Sequence, residues 1–185
     1  NVYERDCADT EEIVLDFTGD VNLAEGWSTT KYMDQQENGI YDCLSANLVM
    51  ELQGADILMV NNEYAYSDRG YPLPGKTYTF RAMPTRVQVL QQIGTDVVSL
   101  ANNHVYDYGE DALLDTLETL ENVGIPYVGA GRNLKEAEKI VYFIANGRKI
   151  AIVAATQIER FESFTKEAEE NTPGVLKTLE PDKFV

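Results

Sequence analysis

The chain carries one histidine, His104, and it ends the string Val97-Val98-Ser99-Leu100-Ala101-Asn102-Asn103-His104, with Asp107, Tyr108 and Gly109 following at once. A short apolar run that delivers two carboxamides and an imidazole reads as a strand handing over to a loop. In open α/β sheets ligands bind at that handover, outside the carboxyl ends of the strands. Two other apolar runs end in the same way: Val14-Leu15-Asp16-Phe17-Thr18-Gly19-Asp20 in a carboxylate, and Asp56-Ile57-Leu58-Met59-Val60-Asn61-Asn62-Glu63 in two carboxamides and a carboxylate. Asn22 adds an oxygen donor just beyond the first. Strand ends carrying Asp20, Asn61 with Glu63, and Asn102, Asn103 and His104 predict a site for a hard metal or an anion. An oxygen-rich set with one imidazole favours Mg, Mn, Ca or Fe over structural zinc. The histidine would either ligate or move a proton near neutral pH.

Each residue also has a plainer reading. An Asp after a Gly is an ordinary turn residue, Asn and Glu at a strand end can cap the next segment, and a lone His is often a packing residue. Glu63 is the least easily dismissed. A carboxylate at the end of a buried strand needs a partner, either a divalent cation or an arginine from the segment between Arg69 and Arg86. That segment holds Arg69, Lys76, Arg81 and Arg86 without one Asp or Glu. It reads either as a solvated loop or as a cationic rim, with Arg81 and Arg86 as substrate contacts, admitting an anion to an acidic protein. The single histidine has no evident serine or cysteine nucleophile beside it. No Walker loop or dinucleotide fingerprint is present, Gly129-Ala130-Gly131 being too short for one.

The elements that must position these residues alternate. Strands are expected at 13–18, 55–60, 97–101 and 125–129, with helices at 41–52, 84–93, 109–123 and 133–139 between or after them. Pro84 suits a first helical turn, and Leu113, Leu117 and Leu120 line one face of the third helix. Asn146-Gly147 between two apolar runs signals a type I′ hairpin over 141–155, expected to add an antiparallel edge. Residues 1–12 are polar and read as a flexible lead-in, and 64–82 as one long loop whose tyrosines argue against disorder. This pattern predicts an α/β fold with a mixed, mostly parallel sheet and flanking helices.

Composition narrows the function classes. Fifteen Lys and Arg against 31 Asp and Glu give a net charge of −16 over 185 residues, which opposes binding to nucleic acid or any polyanion unless a metal or basic patch intervenes. The length fits one domain. Cys7 and Cys43 lack metal-type spacing, and one disulfide or two thiols are both open. No run is long enough for a membrane helix.

Taken together, Phe17-Thr18-Gly19-Asp20-Val21-Asn22-Leu23, the Asn61-Asn62-Glu63 strand end, Tyr78-Thr79-Phe80-Arg81-Ala82-Met83-Pro84, Ala101-Asn102-Asn103-His104 through Asp107-Tyr108-Gly109, and Gly124-Ile125-Pro126-Tyr127-Val128-Gly129-Ala130-Gly131 resemble the CapA family. These are capsule-synthesis or poly-gamma-glutamate biosynthesis proteins with a PGA_cap domain, distant relatives of calcineurin-like metallophosphatases. The resemblance runs from about residue 13 to 155 and then thins, and Asn62 stands where the family usually has Leu. It implies part of an α-β-β-α metallophosphatase sandwich and a divalent metal (Mn, Mg, Fe or Ca) near Asp20, Asn61, Glu63 and Asn103. It would make His104 the residue that protonates or stabilises a departing oxyanion. Asn22, Arg81, Arg86 and Asn102 would contact an anionic polymer or phosphoester. It also implies an extracellular or cell-surface location, with any envelope association outside this chain. The family continues with further His-containing segments, so 13–185 is expected to be the N-terminal part of such a domain, completed by a C-terminal part or a second chain. The competing expectation is a non-catalytic accessory protein that binds or guides poly-gamma-glutamate.

Overall fold

Apolar runs of β-branched and large aliphatic residues fix the frame. The computed structural model describes residues 2–158 and 164–178. From the N-terminus come β1 (Val2–Arg5), β2 (Leu15–Val21), α1 (Ser28–Asp34), α2 (Ala46–Gly54) and β3 (Ile57–Asn62). A short pair, β4 (Ala65–Tyr66) and β5 (Arg81–Ala82), precedes α3 (Val87–Gln92), β6 (Val97–Ser99) and α4 (Glu110–Asn122). Then follow β7 (Tyr127–Val128), β8 (Ala130–Gly131), α5 (Leu134–Ala137), β9 (Val141–Ala145), β10 (Arg148–Ile152) and β11 (Gly174–Val175).

The central sheet is parallel in the order β2-β3-β6-β7. The strands follow one another in sequence, so each crossover returns one position further along. With the usual right-handed crossover the connecting helices then fall on one face. The period of two along the strands sorts their side chains accordingly. Leu58 and Val60 of β3 and Val98 of β6 are buried with Leu52, Leu90, Leu113, Leu117 and Leu120 from the helices. Ile57 and Val97 point the other way, into a second cluster with Val128, Val141, Phe143 and Ile152.

That second cluster explains where the hairpin goes. β9 and β10 do pair antiparallel, with Asn146 and Gly147 in the left-handed conformation their turn requires. They do not extend the parallel sheet, as the sequence pattern suggested. They form a separate sheet in the order β1-β9-β10. The alternating burial of β9, with Val141, Phe143 and Ala145 inside, gives it an apolar face that packs on the first sheet rather than beside it. The layers are helices, parallel sheet and second sheet.

The expectation of a flexible lead-in over 1–12 is corrected at its start. Val2–Arg5 pairs parallel with β9. Tyr3 packs on Phe143 at 5.7 Å, and Arg5 both lies over that ring and meets Asp96 at 2.6 Å. A polar strand is held here by partners distant in sequence. The loop expected over 64–82 contains β4, which pairs parallel with β5. Helix α1 escaped the sequence pattern because only Thr30 and Met33 of it are buried, too few to show a period. Cys7 and Cys43 are free thiols, which closes the choice left open above.

Candidate functional site

The three polar strand ends meet. Parallel pairing sets Asp20 opposite Asn61 and Asn61 opposite Ser99, so β2, β3 and β6 release their terminal residues at one edge. One detail of β2 makes this possible. Phe17 pairs with Met59 and Asp20 with Asn61, so β2 holds one residue more than β3 between those pairs. Such a bulge re-aims the side chains that follow it. Without it, Gly19 would face Asn61 and the carboxylate would turn to the opposite side of the sheet.

Asn61 sits at the centre. Its Nδ2 donates to Asp20 Oδ1 at 2.8 Å and to Glu63 Oε2 at 3.2 Å. Its Oδ1 accepts from Asn102 Nδ2 at 3.0 Å. Asn102 is buried and uses every hydrogen-bonding position of its carboxamide. Nδ2 also donates to the Asn62 carbonyl at 3.0 Å, and Oδ1 accepts from the backbone N–H of His104 and of Val105, both at 3.0 Å. It bolts the loop after β6 to the end of β3. The sequence placed Asn102 at the substrate; the structure shows it fully engaged within the protein.

The two carboxyl groups are coupled. Burial first, and then the hydrogen bond to and charge of Asp20, push the Glu63 carboxyl up to about 7. Asp20, more exposed, is held below the usual carboxylate range by hydrogen bonds from Glu63 and Asn61. Of the two, Glu63 is therefore the carboxyl that holds a proton more readily, and Asp20 the one that accepts it. The imidazole stands over them, with Nε2 3.9 Å from Glu63 Oε1. Its other nitrogen, Nδ1, meets Asp107 Oδ2 at 2.7 Å. The sequence sets Asp107 three residues after His104 without giving it a role; the folded loop turns its carboxylate onto the imidazole.

A hard divalent cation fits part of this set. Two carboxyls forced together and sharing a proton are what such a cation would relieve by displacing that proton. Asn61 turns its amide hydrogens toward both carboxyls and its oxygen toward Asn102, so it would have to rotate to ligate. Among the described residues no three Asp, Glu, His or Cys side chains already form a metal-binding group. The carboxyl pair fits a cation, then, and the neighbours as arranged do not complete its shell. The Asn103 carbonyl accepts from Lys76 Nζ and from Thr165 Oγ1, the latter at 2.8 Å, contacts with the supporting segments and not with the carboxyl pair.

The remaining expected residues lie elsewhere. Asn22 Oδ1 accepts from Ala24 N–H at 2.9 Å, a turn contact. Arg86 is held by Glu25 at 2.9 Å and by Asp34. Arg81 lies over the Tyr108 ring at 4.2 Å and donates to the carbonyls of Arg69 and Gly70 at 2.8 and 3.3 Å. Arg69 pairs with Asp111 and Asp115, and Lys76 with Asp107. The cations between Arg69 and Arg86 thus bind this segment to the loop after β6 and to the helices, where a cationic rim would have presented them outward. The reason is the −16 balance: with carboxylates in twofold excess, each cation finds one, or a carbonyl, within reach.

The sequence matches a known family. The model of the family described as "Bacterial capsule synthesis protein PGA_cap" matches residues 14–182. The chain belongs to that family. The PGA_cap family has the metallophosphatase-like fold, to which the helix, sheet and sheet layers described above correspond, and that superfamily suggests a divalent metal. Among curated relatives, the capsule biosynthesis protein CapA of Bacillus anthracis is 32% identical over 108 residues, covering 57% of this chain and 26% of the relative. The PGA biosynthesis protein CapA of Bacillus subtilis is 34% identical over 118 residues, 63% of this chain and 30% of the relative. A Mycobacterium tuberculosis protein named "Probable polyglutamine synthesis accessory protein" is 30% identical over 136 residues, 72% of this chain and 35% of the relative. The matched regions span between about a quarter and a third of these PGA_cap relatives' length.

Proposed function

We propose that this chain is part of a poly-gamma-glutamate capsule-biosynthesis protein, and that the edge formed by β2, β3 and β6 is part of a divalent-metal site acting on an anionic polymer or phosphoester. The Asp20–Glu63 carboxyl pair, bridged by Asn61 and overhung by His104, carries the reading. Asp20 and Glu63 would hold the cation (Mn, Mg, Fe or Ca). Asn61 and Asn103 are its further candidate ligands, with the rest of the shell from a C-terminal part or a second chain. A cation there would supply positive charge to neutralise the carboxylates and polarise an anionic oxygen. The chain's own part is to orient that oxygen beneath His104, whose Nε2 would first take up a proton, with Asp107 holding Nδ1–H of the resulting imidazolium, and would then hand that proton to a departing oxyanion. A location at the cell surface belongs to the same proposal, since a capsule lies outside the cell.

The test is a calorimetric titration of this chain with Mn and with Mg, beside Asp20→Ala. Binding by the wild type that is lost in Asp20→Ala is the expected result. No heat from either metal overturns the metal site within this chain.

The second reading, a non-catalytic accessory protein that binds or guides poly-gamma-glutamate, has its own supports. One is the incomplete donor set, and the other is the word "accessory" in the name of a relative. Binding of poly-gamma-glutamate without metal, unchanged by His104→Ala, would favour it.

A further inference from the structure

A buried ion pair lies beneath the candidate site. The Lys76 side chain is 7% exposed and that of Asp107 0%, with Nζ 2.7 Å from Oδ1. The other carboxylate oxygen, Oδ2, accepts the Phe80 N–H at 2.6 Å and faces His104 Nδ1 at 2.7 Å. A carboxylate only accepts hydrogen bonds. The hydrogen between them therefore sits on Nδ1, and the neutral ring then carries a lone pair on Nε2, the nitrogen turned toward Glu63. Free histidine in water prefers the opposite tautomer, with hydrogen on Nε2.

We propose that Lys76 is a positioning residue: acting through Asp107, it holds His104 as the Nδ1–H tautomer and presents Nε2 to the Asp20–Glu63 pair. Three observations converge on Lys76. It neutralises a carboxylate that would be costly to bury alone. It donates to the carbonyl of Asn103, the residue before His104, and so fixes the backbone from which the ring projects. It also comes from the same loop as Phe80, whose ring lies 4.2 Å from the imidazole at 35° and whose N–H holds Asp107. The loop from Arg69 to Phe80 is thus the support of the histidine. This gives a task to a basic residue that composition assigned to a rim. Outer partners of this kind commonly fix the tautomer of a working imidazole. The functional weight of the assignment rests on the metal reading above, since a lone pair on Nε2 can face a cation or receive a proton, whereas an N–H there could only donate.

The single histidine makes the test direct. A long-range 1H–15N spectrum of this chain, free of metal and recorded where the ring is neutral, contains imidazole signals from His104 alone. The wild type is expected to show one tautomer, Nδ1–H. Lys76→Met keeps the apolar stem and removes the ammonium, and it is expected to give a mixture of tautomers or a shift to Nε2–H. Lys76→Arg, which keeps a cation and its donors, is expected to restore the single form. An Nε2–H wild type overturns the proposal, as does a Lys76→Met ring that remains wholly Nδ1–H. Backbone amide spectra show whether Lys76→Met is folded; if it is not, Lys76→Gln, with a neutral donor, is read by the same criteria. Because no metal or substrate enters the experiment, its failure is distinguishable from failure of the metal reading.

Discussion

At the scale of single residues, the site is governed by carboxamides as much as by charges. Asn102 is the clearest case. Removing its side chain leaves the Asn61 oxygen, the Asn62 carbonyl and two backbone N–H groups without partners in a buried place. Asn102→Ala is expected to cost about 3 kcal/mol or more in urea unfolding, since each buried group left unpaired carries its own desolvation penalty. It is also expected to lose metal binding, because Asn61 and the His104 loop lose their common anchor. A destabilisation under about 1 kcal/mol would show that water replaces the carboxamide and that the bolt is dispensable.

At the scale of elements, the loop between β4 and β5 is a support laid against the loop after β6. Leu73 N–H donates to the Asp107 carbonyl at 2.9 Å, and Gly70 lies so close to the Tyr108 carbonyl that a Cβ there would collide with it. Gly70 also has φ +78, which a side chain disfavours. Gly70→Ala is therefore expected to destabilise the chain by roughly 2 kcal/mol, lifting this loop from the histidine. Gly19, beside the bulge that aims Asp20, has nothing within 4 Å of the place a Cβ would take. Gly19→Ala is expected to change stability by less than about 1 kcal/mol and to leave metal binding intact. Thermal melts of the two variants side by side test this contrast, and equal losses would refute it.

At the scale of the whole molecule, charge sets the response to pH. The hydrogen bonds of Arg86 hold the carboxyls of Glu25 and Asp34 below their usual range, and those of Arg69 do the same to Asp115. A lowered carboxyl stabilises the fold above its ordinary pKa, about 4, and that stabilisation is lost as pH falls through the lowered value. Stability is thus expected to decline on the acid side of about pH 4, and Arg86→Met should be less stable at neutral pH yet show a shallower decline. Glu63 works in the opposite sense: raised to about 7, it favours the fold fully below the ordinary glutamate range, and its contribution falls as pH rises through about 7. Unfolding free energies measured across pH for wild type and Arg86→Met check the first effect, and parallel acid limbs would rule it out. Both cysteines being free, a reductant should leave the melting temperature unchanged.

What the sequence determined by itself is local in its physics. Apolar runs ending in Asp20, Glu63 and His104 identify parallel strands with polar residues gathered at their carboxyl ends, because period and burial are written into consecutive residues. The α4 stripe and the Asn146-Gly147 turn are legible for the same reason. Tertiary structure alone decided what depends on partners far along the chain. Val2–Arg5 is a strand only because β9 offers an edge, and the hairpin stacks rather than extends because its apolar face needs the first sheet. The extra residue in β2 is invisible until β3 sets the register. The basic segment reads as a rim until folding brings its cations to carboxylates and carbonyls. Lys76 and Asp107 lie 31 positions apart, and only the packing of one loop on another places them beneath the histidine they hold.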